Sequence, residues 1–78
     1  MKPTNRRRKT IDPTLRKFGS RLRAARLAQG WTQVRVATAL HLSVAYVSLL
    51  ERGGRNPPYL LVCRLARTLG TPPAALCE

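Results

Sequence analysis

Three features of the sequence predict an all-α domain built from five helices. Apolar residues recur three and four positions apart, Asp, Thr or Ser stands ahead of the first three such stretches, and glycine or proline interrupts the pattern between stretches. The densest part, Gln33 to Gly53, reads as two short amphipathic helices joined by a tight turn. Neither of those two helices can bury its apolar face alone, so the remaining helices must cover them.

Taken in order, Asp12-Pro13 starts helix 1, with the Asp as N-cap and proline at the first helical position, where its missing N–H costs nothing. The helix is predicted over Pro13 to Gln29, with Leu15, Phe18, Leu22 and Ala25 facing the core and Gly30 ending it. Trp31 reads as a core plug beneath helices 1 and 2. Thr32 caps helix 2, predicted to run to Leu40 with Val36, Ala37 and Leu40 inward. Ala37 is small where another helix must cross closely. His41 and Leu42 form the turn, and Ser43 caps helix 3, which runs to about Glu51. Val47 and Leu50 face inward, while Val44, Ala45, Ser48 and Leu49 lie on or near the outward face. Gly53 to Pro58 is a turn by composition, and its proline pair marks the start of helix 4. Tyr59, Val62, Cys63, Ala66 and Leu69 form the predicted core stripe, which leaves the adjacent Leu60 and Leu61 outside it. Thr71-Pro72-Pro73 begins a short helix 5 through Leu76.

Composition narrows the function classes. A chain of 78 residues is one domain, and it buries only about 60% of the surface that its unfolded form exposes, so its stability margin is thin. Fifteen Lys and Arg residues against three acids give a net charge of +12, a field that concentrates polyanions at the surface. Charge alone does not separate nucleic acid from an anionic membrane. No apolar run approaches a membrane span and no apolar segment follows the basic start, so a cytoplasmic protein is expected, with no membrane partner. Cys63 and Cys77 lack zinc-site spacing and read as small core residues, and with His41 they make too scattered a set for a metal. With so few carboxylates and one histidine, no nucleophile has a visible base, which argues against an enzyme, and nothing points to a cofactor or a small-molecule ligand. Residues 1–12 read as a flexible basic arm and residues 13–78 as the folded domain. The arm is either a solubilising leader or a phosphate-following, minor-groove element whose contacts are Arg6, Arg7, Arg8 and Lys9.

Gln33, Ala37, Val47 and Leu50, followed by Glu51-Arg52-Gly53 and Arg55-Asn56-Pro57, resemble the phage repressor (Cro/C1-like, or XRE) type of DNA-binding domain. The resemblance covers Phe18 to Cys77 and implies a compact five-helix repressor-type domain with the helix-turn-helix at helices 2 and 3. It implies that Glu51 pairs with Arg26, fixing helix 3 against helix 1. Gln33 matches a residue that meets phosphate in the family, and the helix starts at Thr32, Gln33 and Ser43 are phosphate sites through their free N–H groups. Arg52, Arg55 and Asn56 follow helix 3 where the family also meets phosphates, and Arg35 adds a further positive charge nearby. His41 stands where the family usually has glycine in a left-handed backbone, a conformation that costs a residue with a Cβ.

The chain departs from the family at the base-facing positions of helix 3, which are commonly Gln, Arg, Lys or Asn. Here Val44, Ala45 and Leu49 cannot donate a hydrogen bond, and Tyr46 or Ser48 would have to supply one. The expected function is a sequence-specific regulator of transcription that binds double-stranded DNA as a homodimer with helix 3 in the major groove; within the DNA-binding class, a restriction-modification controller or an antitoxin is an alternative. The other alternative is an RNA-associated or protein-interaction module that keeps the fold. Leu60 and Leu61 suggest the self-complementary contact of a dimer through helices 4 and 5.

Overall fold

The computed structural model describes residues 12–77. Arg6, Arg7, Arg8 and Lys9 of the expected arm lie outside the described residues. Within them the chain is all-α: α1 (Pro13–Ala28), α2 (Gln33–Leu40), α3 (Val44–Glu51), α4 (Tyr59–Thr68) and α5 (Pro73–Cys77). Asp12 caps α1 by accepting from the Thr14 amide at 2.8 Å. Thr32 accepts from Arg35 and Ser43 from Tyr46, each at 3.0 Å, so the caps of α2 and α3 are the residues expected from sequence.

The first four helices end in one geometry. The residue after the last turn adopts a left-handed backbone and returns its N–H to the helix, and the next residue's N–H reaches one carbonyl further back. Glycine supplies this conformation after α1, α3 and α4, whereas after α2 it is His41, at φ 58°. The Leu42 amide then bonds the Ala37 carbonyl at 2.8 Å, which turns the chain sharply into α3. Between α2 and α3 the chain bends by 116°, within the range of a helix-turn-helix.

The helices pack around one apolar core, with α1 on α3 and α5, α2 on α3 and α4, and α4 on α5. Phe18, Leu22, Val36, Ala37, Leu40, Val47 and Leu50 join the buried residues of α4 with Leu69 and Leu76. Ala25 and Trp31 are half-buried against that cluster, so Trp31 closes its edge rather than its centre. Leu15 is half-buried and lines a cleft of about 270 Å³ with Phe18, Pro57, Tyr59 and Val62. The approach of α1 to α3 depends on Gly19. A Cβ there would collide with the Leu50 carbonyl oxygen and come within 2.5 Å of the Glu51 carbonyl oxygen. Gly53 presses the end of α3 onto the start of α1, where a Cβ would lie 2.9 Å from the Arg16 backbone.

Helix α4 differs from the sequence expectation in its phase. Its inward face is Leu61, Val62, Leu65 and Ala66, while Tyr59 and Leu60 are exposed and Cys63 is half-buried. Leu61, Leu65 and Leu69 follow one another at four-residue spacing; Leu69 is inward in either phase, and the observed one buries the wholly apolar Leu61 and Leu65 in place of Tyr59, with its hydroxyl, and Cys63. This phase also leaves the tyrosine hydroxyl in water. That hydroxyl shares a hydrogen bond with the Cys63 thiol, which raises the phenol above its ordinary pKa. Cys77 is exposed, so neither cysteine is a core residue. Leu61, expected outside the core, is only 8% exposed, which removes it from any free surface, whereas Leu60 is 73% exposed.

Candidate nucleic-acid interface

The candidate interface is centred on α2 and α3 and is held in place by a buried polar cluster behind it. Arg26, in the last turn of α1, donates from Nε to Glu51 Oε2 at 2.6 Å and from Nη2 to Oε1 at 3.0 Å. Its remaining nitrogen, Nη1, donates to the Trp31 carbonyl at 2.8 Å. The side chains are 9% and 3% exposed, and the paired fork geometry satisfies the guanidinium on all three nitrogens. Gln33 completes the cluster by donating from Nε2 to Glu51 Oε1 at 3.0 Å. One carboxylate therefore ties together the end of α1, the start of α2 and the end of α3. This sets the angle at which α3 is presented.

Gln33, expected at phosphate, is half-buried at the first turn of α2, where one hydrogen of its amide nitrogen is engaged with Glu51 and the second is left to donate elsewhere. No pattern of spacing pairs positions 33 and 51, so the sequence does not reveal this contact. The resemblance supplied only the Arg26 to Glu51 pair. Arg35 carries its guanidinium over the Trp31 ring, 4.1 Å from the centroid, a cation–π contact that positions a charge beside α2. A further tie absent from the sequence reading runs from Gln29 Nε2 to the Leu69 carbonyl at 3.0 Å, joining the ends of α1 and α4.

The expected phosphate residues Thr32, Ser43, Arg52, Arg55 and Asn56 are all exposed. Thr32 and Ser43 use their hydroxyl oxygens as caps, and the N-termini of both eight-residue helices retain unpaired N–H groups and a positive dipole end. Arg52 and Arg55 flank the turn after α3, while Asn56 also borders the cleft beside Leu15. Among the expected base-facing residues, Val44 and Ala45 are exposed on the first turn of α3, and Ser48 and Leu49 are half-buried on the next. Tyr46 is also half-buried and packs against the core. The apolar Val47 and Leu50 draw that face of the helix inward and take Tyr46 with it.

A family model described as a helix-turn-helix domain matches residues 17–77. The chain belongs to the helix-turn-helix domain family. The resemblance to Cro/C1-type regulators is borne out by solved structures of that type. The restriction-modification controller protein C.AhdI from Aeromonas hydrophila is 40% identical, with a TM-score of 0.75 over 80% of this chain and 94% of that protein. The clp gene regulator ClgR from C. glutamicum is 27% identical, with a TM-score of 0.81 over 90% of each chain. The DNA-binding domain of BldD is 25% identical, with a TM-score of 0.78 over 88% of this chain and all of that domain. Among curated protein sequences no significant match is found. Among the described residues no single helix is long and apolar enough to cross a membrane.

Proposed function

We propose that this helix-turn-helix protein is a sequence-specific transcription regulator that places α3 in the major groove of double-stranded DNA. The observation that carries this reading is the conjunction of an exposed first turn of α3, braced by the Arg26, Glu51 and Gln33 cluster, with exposed Arg52 and Arg55 just beyond its C-terminus. Phosphates on either side of the groove meet the basic side chains and the N–H groups that start α2 and α3, and these contacts supply most of the affinity. Likeness to a restriction-modification controller over nearly its whole length supports the controller kind of regulator over the antitoxin kind. The protein acts by binding rather than by catalysis, in the cytoplasm, where its DNA lies.

A domain this small places few side chains on bases, and two copies on a two-fold site restore useful specificity. Tyr59 and Leu60, exposed side by side at the start of α4, are the surface on which two copies meet. Leu61 has no part in it, because it belongs to the core.

Salt titration of DNA binding tests the phosphate assignments. Arg52→Ala and Arg55→Ala are each expected to weaken binding to all duplexes by a similar factor and to lower the slope of log K against log salt by about one. Loss confined to one sequence, with the slope unchanged, would move that arginine from phosphate to base.

A further inference from the structure

The centre of the proposed reading surface is apolar and its margin is basic. Val44 is 41% exposed and Val34, on the first turn of α2, 58% exposed, with the Ala45 side chain also open to solvent. Arg35, Arg52 and Arg55 are exposed on the same two helices and the turn that follows. Among Val44, Ala45, Ser48 and Leu49, only Ser48 has a hydrogen-bonding side chain, and it is half-buried, as is Tyr46, which packs against the core. The charge selects a polyanion, and the apolar patch then selects what in its groove is apolar. Donors and acceptors line the major groove, and its distinctive apolar group is the methyl on C5 of thymine.

Resting on the DNA-binding reading above, we propose that Val44 and Ala45 read pyrimidine C5-methyl groups in the major groove. The occupant of this face is thus a duplex with thymine at the positions they meet. Cytosine methylated at C5 presents the same group at the same ring position and substitutes in part for thymine. Val44 suits the task because its branched side chain is stiff about χ1 and loses little freedom on contact. Its fixed presentation comes from the Ser43 cap one residue earlier, whose hydroxyl holds the Tyr46 amide at 3.0 Å. Burying one methyl group corresponds to about a fourfold change in an equilibrium constant.

The test uses duplexes selected by the full chain from a random pool. In the selected duplex each thymine is replaced in turn by deoxyuridine, which pairs identically and lacks only the methyl. At least one replacement per half-site is expected to weaken binding about fourfold with an unchanged salt slope. Placing a cytosine–guanine pair at that position weakens binding further, and methylating the cytosine at C5 recovers about fourfold. Val44→Ala, checked for an unchanged fold by circular dichroism, is expected to bind the thymine and uracil duplexes within about twofold of each other at one of the positions where the original protein discriminates. Specific binding that is indifferent to uracil at every position, or discrimination that survives undiminished at every position in Val44→Ala, overturns the methyl-reading inference and leaves the DNA-binding reading standing. Failure to enrich any duplex over the starting pool overturns both.

Discussion

Replacing Glu51 by alanine removes three accepted hydrogen bonds at once, two from Arg26 and one from Gln33, and strands a guanidinium that is almost entirely out of water. The Trp31 carbonyl is then the partner that remains to it. Breaking one side of a buried ion pair costs about 3 to 5 kcal/mol, because the surviving charge keeps its desolvation penalty and loses its attraction. A chain of 78 residues has roughly 4 to 12 kcal/mol of stability in all, so Glu51→Ala takes a large share of it. With a urea dependence near 1 kcal/mol per molar for so small a protein, the unfolding midpoint falls by about 3 M or more. Urea melts followed by Trp31 fluorescence and by circular dichroism measure this directly. Glu51→Gln, which keeps the shape and an acceptor oxygen, loses less, on the order of 2 kcal/mol. The double variant Arg26→Met with Glu51→Leu removes both charges and is expected within about 1 kcal/mol of the original protein, far from the sum of the single effects. A midpoint change under about 0.5 M for Glu51→Ala, or strict additivity in the double variant, would refute the claim that this pair is buried and coupled.

Three further outcomes follow from local geometry. In a helix interior Gly→Ala ordinarily gains up to about 1 kcal/mol, but Gly19→Ala is expected to destabilise by about 2 kcal/mol, because its Cβ meets the backbone of α3; a gain in a thermal melt contradicts the close approach. His41→Gly relieves a left-handed backbone at φ 58° and should stabilise by about 1 kcal/mol, raising the melting temperature by roughly 4 to 8 °C; no rise would mean that the histidine side chain offsets its own strain. Leu60→Lys should leave the fold intact and reduce dimer formation on a palindromic duplex in sedimentation, whereas unchanged dimerisation would move the interface off α4.

Much of the fold was legible in the chain because its signals are local. Asp12, Thr32 and Ser43 announce three helix starts, and Gly30, Gly53 and Gly70 mark three ends that require a left-handed backbone. The phase of α4 was not, since Tyr59, Val62, Cys63, Ala66 and Leu69 satisfy helical spacing as well as Leu61, Leu65 and Leu69 do. Only packing against α2 and α5 decides between them. The Arg26 to Glu51 pair was legible through family resemblance, and Glu51 is the single acid between Pro13 and Cys77, set among many cations. The Gln33 contact with the same carboxylate was not, because it depends on the angle at which α2 meets α3. Tyr46 shows the same limit: its place on an outward turn of α3 is local, while its packing against the core is tertiary. The close approach at Gly19 left no local signal either, since glycine inside a helix carries no indication of which backbone comes near it.

Equilibrium binding of the full chain to three probes at one salt concentration tests the central claim most directly. The probes are a duplex selected from a random pool, a shuffled duplex of the same composition, and a structured RNA. If α3 reads bases in the major groove while the flanking arginines hold phosphates, the selected duplex binds at least about a thousandfold more tightly than the shuffled one, and the RNA no better than the shuffled duplex. Equal affinity for all three would reduce the protein to a basic surface on a helix-turn-helix scaffold, and preference for the RNA would contradict the account outright.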